Sequence, residues 1–212
     1  MQLAELFGVD ALRYFLLREV SFGQDGSYSP EAIVTRVNAD LANSFGNLAQ
    51  RTLSLIFKNC EGYLPAIRGH NDDDNALLDL VGATVSQHIP AHYEDLAMSQ
   101  GLESWMQAVF ACNAYVDVQA PWALKKTDPE RMETVLATLF ICIAQLAIAA
   151  LPIIPGSATK LLDQMGVPLD VRNFHAAGSH WYSPLAESNF QIAQPVGLLP
   201  RLEMPAEEGT AA

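Results

Sequence analysis

Apolar residues recur at helical spacing along most of the chain, and the alternation typical of strands is scarce. The longest such stretch opens at Ser29-Pro30-Glu31, which supplies an N-cap, a proline at the first helical position and an acidic first turn. We predict a helix from there to about residue 58. Five apolar side chains lie along one stripe of it: Ile33, Val37, Leu41, Leu48 and Leu55.

The same spacing predicts other helices before and after this one. They cover residues 8–20, 74–98, 101–119 and 129–151, with a short helix between Gly156 and Gly166. Pro90 should kink or split the helix in which it lies. The acidic run Asp72-Asp73-Asp74 closes a linker and is most simply a solvated helix start.

The helix at 129–151 is the most apolar segment of the chain. No residue between Thr134 and Thr159 is charged, so its length alone would permit a transmembrane helix. Gln145 interrupts the run, prolines close it, and no cluster of Lys or Arg marks a cytoplasmic side. A helix that is apolar all round suits the centre of a bundle, so we predict a buried central helix and no membrane association.

These elements predict an all-α fold. We expect an antiparallel helix bundle over residues 29–168, preceded by a short helical element at 1–28. Scattered aromatics and prolines at 169–204 indicate an irregular tail that packs back over the bundle. Residues 205–212 are expected to be disordered.

The charge balance disfavours a protein that follows a nucleic-acid duplex. Lys and Arg number 12 against 24 Asp and Glu, giving a formal net charge of -12. Such a surface repels phosphate at long range. This repulsion matters less for a protein that reads a few unstacked bases by stacking and hydrogen bonding.

The three cysteines, Cys60, Cys112 and Cys142, are odd in number and widely spaced, without a CxxC pair. A zinc site or a disulfide framework is therefore not expected, and a cytoplasmic location fits. The N-terminus lacks the basic region of a signal peptide.

No catalytic constellation is visible in the sequence. His88 and His92 have the i, i+4 spacing of two metal ligands, but Pro90 lies between them and no metalloprotease pattern follows. We interpret them as surface histidines. There is no Gly-rich phosphate loop and no G-x-S-x-G elbow, so we assign no catalytic residue and no metal ligand.

Asn47 and Arg51 carry the first candidate binding chemistry. Four residues apart on the long helix, they present an amide and a guanidinium on one face. Together these groups offer donors and acceptors suited to the edge of a base. On spacing alone, two ordinary surface residues are the better interpretation.

Pro121 and Trp122 carry the second candidate binding chemistry. A proline at a helix end fixes the backbone and can hold the following indole on a bend, where it could stack on a flipped base. The alternative is a tryptophan that plugs the end of the bundle. Lys125 and Lys126 follow and could meet phosphate or simply be solvated.

Four stretches together resemble methionyl-tRNA synthetases. They are D-A-L-R-Y-F-L-L-R-E at 10–19, N-L-A-x-R at 47–51, N-x-Y-V-D-x-x-A-P-W at 113–122 and G-L-L-P-R-L-E at 197–203. They occur in the family's order and spacing and extend over almost the whole chain. The fold implied is the anticodon-binding helix bundle of class I aminoacyl-tRNA synthetases.

The resemblance also implies a function. It makes the bundle a module that recognises the methionine tRNA anticodon, with Asn47, Arg51, Pro121 and Trp122 as the RNA-binding residues. It makes residues 1–28 the end of the element that links catalytic domain and bundle. The rival hypothesis is a helical protein–protein or scaffold module that kept the fold and lost RNA binding.

The family's ATP-handling signatures, a His-x-Gly-His motif and a Lys-Met-Ser-Lys-Ser loop, do not occur in the chain. By resemblance, ATP and a candidate zinc ion belong to a catalytic domain outside this sequence, which would be the chain's other partner. We therefore expect no cofactor in this chain, no methionine activation by it alone, and a monomer.

Overall fold

The computed structural model describes residues 2–19, 28–174 and 180–204. Within these ranges the chain is helical, and the one extended pairing is an isolated antiparallel bridge between Tyr63 and Gln191. The all-α prediction is confirmed. In chain order the helices are α1 (Gln2–Phe7), α2 (Val9–Glu19), α3 (Pro30–Val37), π1 (Asn38–Gly46), α4 (Asn47–Asn59), α5 (Asp72–Ala83), π2 (Thr84–His88), α6 (Ile89–Glu94), α7 (Met98–Gln119), α8 (Pro121–Thr127), α9 (Pro129–Ala150), α10 (Pro155–Gln164), a 3₁₀ turn (Leu169–Val171) and α11 (Tyr182–Glu187).

The predicted long helix is formed by α3, π1 and α4, which follow one another without a break. Ser29 caps it as expected, since its Oγ accepts a 3.1 Å hydrogen bond from the amide of Ala32. The nine-residue π segment in its middle was not expected. Because a π turn holds more residues than an α turn, it shifts the buried face. Leu53 and Ile56 are consequently fully buried. Leu55, which was placed on the buried stripe by assuming regular α-helical spacing, is only partly buried.

The apolar helix α9 is the centre of the bundle, as predicted. It packs against α4, α5, α7, α8 and α10, and every residue from 134 to 150 is buried. By length and composition α9 would pass as a membrane span, but 94% of its apolar window is buried inside the protein. Each Leu, Ile, Val or Phe enclosed in this way contributes about 1.5–3 kcal/mol.

Trp105 ties α7 to this centre. Its indole Nε1 donates a 2.9 Å hydrogen bond to the carbonyl of Leu146 in α9. The ring packs edge-on against Phe45 of π1 at 4.9 Å and Tyr14 of α2 at 6.3 Å between centroids. A buried indole needs a partner for its N–H, and this contact fixes α7 in register with α9.

Pro90 interrupts its helix, as predicted, because proline has no backbone N–H to donate to the preceding turn. The rod changes from α5 to π2 and then to α6, with Pro90 in the first turn of α6. It ends at Glu94, before a left-handed Leu96 at φ 57°, and α7 already begins at Met98. The predicted bounds of 74–98 and 101–119 were therefore wrong by a few residues at this junction.

The acidic run before α5 is not simply solvated. Asn71 and Asp74 form a reciprocal capping box, with hydrogen bonds of 2.9 and 3.0 Å. Asp74 is fully buried, and Arg131 of α9 donates a hydrogen bond to each of its two carboxylate oxygens. The Nη2–Oδ1 distance is 2.8 Å. Asp72 and Asp73 remain exposed. Long-range pairing, invisible in the local pattern, buries the third aspartate.

The described part of the C-terminal tail lies against the bundle. Tyr182 is buried and donates a 2.7 Å hydrogen bond to the carbonyl of Pro65. Further on, the side-chain amide of Asn38 pairs with both backbone groups of Leu202, at 2.7 and 3.0 Å. The ending at 205–212, expected to be disordered, falls outside the described residues.

Candidate functional site

Arg51 and Trp122, predicted to act together, are in contact. The guanidinium carbon of Arg51 lies 5.6 Å from the centroid of the Trp122 ring, a cation–π arrangement. Arg51 is on α4 and Trp122 on α8, so the contact joins two elements far apart in sequence. The Trp122 side chain is 49% exposed. An indole with one face against a cation and much of its surface in solvent is able to stack on a planar ligand.

The turn between α7 and α8 explains why this tryptophan is exposed. Ala120 adopts a left-handed conformation, φ 43° and ψ 58°, and both ends α7 and precedes α8. Pro121 follows at the first helical position, where its fixed φ is compatible with a helix, and its ring is buried. Pro121 thus packs into the bundle while Trp122 faces outward. The alternative of a tryptophan plug is contradicted by this exposure.

Asp117 holds the guanidinium of Arg51. Its Oδ1 accepts a 3.0 Å hydrogen bond from Arg51 Nη2. The Nε of Arg51 is enclosed and has no hydrogen-bond partner in the described part of the chain. A buried donor without a partner is uncommon in folded proteins. Asp117 lies inside the 113–122 motif, but no local signal in the chain indicates that it would meet α4.

Asn47 lies one helical turn before Arg51, at the point where π1 passes into α4. π segments within α-helices occur frequently at functional sites. Asn47 is exposed, and its side-chain amide makes no hydrogen bond with any residue that the structure describes. It lines a groove between the helix and the tail. Its donors and acceptor are therefore available to a ligand.

A polar network beneath the site fixes the end of α7. Tyr115 donates a hydrogen bond to Asp74, and Arg131 bridges Asp74 and the Oε1 of Gln119, 2.8 Å away. Burial tends to raise the pKa of Asp74, but the hydrogen bonds from Arg131 and Tyr115 outweigh it and lower the pKa below its usual value. Asp74 therefore stays ionised and anchors the helix that carries Asp117.

The side chains of the site can stack on a planar ligand and hydrogen-bond its edge. An exposed indole supplies a stacking surface, and an amide with a guanidinium supplies directional hydrogen bonds. Lys125 and Lys126 are exposed in the last turn of the same short helix as Trp122. Among the described residues no cluster of three or more His, Cys, Asp or Glu side chains has metal-binding geometry. The assignment of Asn47, Arg51, Pro121 and Trp122 to RNA binding stays a prediction.

Comparison with known proteins identifies the family of the chain. Residues 64–188 match the family described as the anticodon binding domain of methionyl tRNA ligase. Residues 1–53 match the family described as tRNA synthetases class I (M).

Curated relatives agree with these matches. Methionine–tRNA ligase of Mesorhizobium japonicum is 47% identical over 204 residues, which cover 94% of this chain and 38% of the relative. The enzyme of Brucella suis is 50% identical over 173 residues, covering 82% of this chain and 33% of the relative. The chain thus spans little more than a third of the length of these relatives.

Solved structures agree as well. The free form of Mycobacterium tuberculosis methionyl-tRNA synthetase superposes with a TM-score of 0.89 at 41% identity, covering 96% of this chain and 41% of that one. A structure of the same enzyme bound by methionyl-adenylate gives a TM-score of 0.86 at 40% identity. With a matched family domain over more than half its length, the chain belongs to the anticodon-binding domain family of methionyl-tRNA ligases.

Proposed function

We propose that this chain recognises the anticodon of methionine tRNA as part of a methionine–tRNA ligase. The observation that carries the proposal is the contact of Arg51 with a half-exposed Trp122. The rival hypothesis of a scaffold that lost RNA binding would leave no reason for an unpaired amide, a guanidinium and an open indole to share one surface.

In this proposal Trp122 stacks on an unpaired anticodon base. Removing one such contact costs about 1–3 kcal/mol of binding. Asn47 and Arg51 hydrogen-bond the Watson–Crick edge of a base on the same side of α4, and Pro121 holds the indole in place. Recognition by stacking and hydrogen bonding needs few phosphate contacts, so it is compatible with a net charge of -12.

The experiment measures binding of a stem-loop carrying the methionine anticodon, together with stem-loops changed at each anticodon position. Trp122→Ala should weaken binding about 5- to 150-fold, the equivalent of about 1–3 kcal/mol. Its melting temperature should stay close to that of the wild type, because the ring is half exposed.

The matched control is Trp181→Ala. This indole is 4% exposed, so its removal should cost about 3–5 kcal/mol of stability without altering the ranking of anticodons. Arg51→Gln should reduce the differences in affinity among the anticodon stem-loops, because one base loses a charged donor of two hydrogen bonds. The proposal fails if Trp122→Ala and Arg51→Gln both leave the ranking of anticodon sequences unchanged.

The complete ligase reaction is proposed for a longer protein of the kind its relatives represent, with ATP held by its catalytic part. The chain alone should act as a monomer and show no methionine-dependent ATP–pyrophosphate exchange. Exchange above a blank, in a preparation free of host synthetase, would reveal an active site within these residues. Sedimentation of the purified chain tests the monomer.

A further inference from the structure

The tail segment 199–202 runs antiparallel to the long helix along its π segment. At the first residue of π1, the side-chain amide of Asn38 pairs with both backbone groups of Leu202, at 2.7 and 3.0 Å. At the last residue, Gly46, an added Cβ would come within 2.9 Å of the Leu199 Cβ. The tail therefore contacts π1 at both of its ends.

A third contact, from within π1, reports the register of the helix. Asn43 Oδ1 accepts a 2.8 Å hydrogen bond from Nε of Arg201. Asn38 and Asn43 are five residues apart, yet they bond adjacent residues of the tail. In an α-helix, with 3.6 residues per turn, side chains five apart differ by about 140° in direction. In a π-helix each N–H bonds the carbonyl five residues back, so residues five apart lie nearly one above the other. The π register thus brings both asparagines to the tail, and an α register would turn one of them away.

The register of π1 also sets the direction of the candidate site residues. The backbone N–H of Asn47 donates a hydrogen bond to the carbonyl of Ala42, five residues back, so the wide register extends up to the site. Arg51 follows one α-helical turn later. A change of register within π1 would rotate α4 about its axis relative to α3, and the side chains of Asn47 and Arg51 with it. The 5.6 Å contact of Arg51 with Trp122 therefore depends on the register.

So long a π segment requires support, because π turns are rare and occur mostly singly within α-helices. Local chemistry makes the wide register possible: Ser44 Oγ donates a 2.8 Å hydrogen bond to the carbonyl of Ala39, five residues back. Gly46 contributes by lacking a Cβ, which would lie 2.9 Å from the Leu41 carbonyl. These features permit the π register, whereas the paired bonds to the tail are contacts that the α register would lose.

We propose that the tail holds π1 in its wide register, and that Asn38 is thereby a positioning residue for Asn47 and Arg51. Thirteen residues separate Asn38 from Arg51, about 20 Å along the helix, so Asn38 acts through the register and not by contact with the site. The inference rests on the proposed function only where RNA is concerned, because the register and the contact of Arg51 with Trp122 exist in the chain without a ligand.

The three tryptophans of the chain allow the proposal to be tested without RNA. Trp105 packs against Phe45 of π1, with 4.9 Å between ring centroids, so it reports on the π segment. Trp122 reports on the candidate site, and Trp181, which packs on α9, is the internal reference. The full 212-residue chain is labelled with 5-fluorotryptophan and its fluorine NMR spectrum is recorded. Single Trp→Phe replacements assign the three resonances.

Asn38→Ala removes both hydrogen bonds to Leu202. Hydrogen exchange at the Leu202 amide should become faster, and the Trp105 resonance should shift. The Trp122 resonance should move towards its position in Arg51→Gln, in which the cation is absent.

Two further variants calibrate this shift. Asn38→Asp keeps the acceptor for the Leu202 amide and should shift the Trp122 resonance less than Asn38→Ala does. Asn75→Ala, at an exposed asparagine of α5, should leave all three resonances in place.

Leu199→Asp applies the same test from the tail, without any change in the long helix. Leu199 is partly buried against the core, so a charged side chain there should release the tail. The Trp105 and Trp122 resonances should then shift as in Asn38→Ala, while Trp181 stays in place. If Asn38→Ala fails to fold, Leu199→Asp and Asn38→Asp provide the comparison.

Binding of anticodon stem-loops supplies the functional readout. The ratio of Kd values for altered and matched stem-loops should fall in Asn38→Ala to a value between those of the wild type and Arg51→Gln. A residue that only stabilised the fold would lower the melting temperature and leave this ratio unchanged.

The outcomes separate this inference from the proposed function. The inference is overturned if either variant frees the Leu202 amide while the Trp122 resonance keeps its wild-type position. It is equally overturned if the amide stays protected in both variants, because Asn38 and Leu199 then do not hold the tail. If the Trp122 resonance follows the tail but the wild type binds no stem-loop, the inference stands and the proposed function fails.

Discussion

Arg51 and Asp117, 66 residues apart in the chain, are joined by a hydrogen bond of 3.0 Å that holds the guanidinium against Trp122. An exposed pair of this kind contributes only about 0.2–1 kcal/mol to stability. The main effect of this hydrogen bond is therefore to orient the Arg51 guanidinium.

Replacing Asp117 with asparagine tests that orientation. Asp117→Asn should change the melting temperature little, because the pair is solvent-screened, but should narrow the differences in affinity among anticodon variants. The readout is the ratio of Kd values for matched and altered stem-loops. Asp95→Asn, at an exposed position outside the site, is the control for charge alone. An unchanged ratio in Asp117→Asn would show that Arg51 needs no such support.

Acid should weaken the fold through Asp74. Its pKa is lowered in the native state, so the unfolded state takes up a proton first as pH falls. The stabilisation is complete above the unfolded pKa of about 3.9 and is lost as pH falls through the lower native pKa. Urea unfolding at several pH values should therefore show Asp74→Asn less stable than wild type near pH 7, with the gap narrowing below pH 4. Asp72→Asn, at an exposed position, should show no such gap at any pH.

Gly46→Ala should displace the tail. The new Cβ would meet Leu199 Cβ and the Leu41 carbonyl at 2.9 Å, and overpacking of this kind costs about 1–3 kcal/mol. Hydrogen exchange at the Leu202 amide, which Asn38 protects in the wild type, should become faster. The matched control is Gly82→Ala on α5, where the added Cβ meets only Gln145 Oε1 at 4.0 Å and should instead stabilise by up to about 1 kcal/mol. Equal behaviour of the two variants would contradict the close approach at Gly46.

Ala120→Gly should stabilise the turn that presents Trp122. A non-glycine residue in the left-handed region costs about 1–2 kcal/mol, and glycine avoids this cost. Glycine also raises the conformational entropy of the unfolded chain, which offsets part of the gain in stability. The net gain should be up to about 1 kcal/mol in urea unfolding. Ala114→Gly, at an exposed position in the middle of α7, should lose about 1 kcal/mol. A loss of stability in Ala120→Gly would mean that the alanine methyl group is needed at this turn.

Local sequence patterns predicted the structure correctly where interactions between neighbouring residues determine it. The cap at Ser29, the stop before Pro121 and the burial of α9 follow from side-chain chemistry and periodicity within a few residues. They were insufficient where distant segments meet. The π segment displaced the expected burial of Leu55, and the pairing of Asp74 with Arg131 converted an apparently solvated residue into a buried one.

The candidate site shows the same division. Asn47 and Arg51 share a face because of their spacing, which is readable from the chain. The exposure of Trp122 depends on a left-handed Ala120, a conformation that an alanine does not suggest. The partnership of Asn43 with Arg201 spans 158 residues and needed the path of the tail.

The position of α9 in the chain has a consequence for biosynthesis. This is the segment most prone to aggregate or to be taken for a membrane insertion signal while it is unpaired. Among the described residues, five of the helices that enclose it precede it in the chain: α4, α5, π2, α7 and α8. Only α10 and the aromatic pair Trp181 and Tyr182, which pack on Phe140, follow it. When α9 emerges from the ribosome, most of its binding surface has already been synthesised, so the order of the elements shortens the time during which its apolar surface meets water.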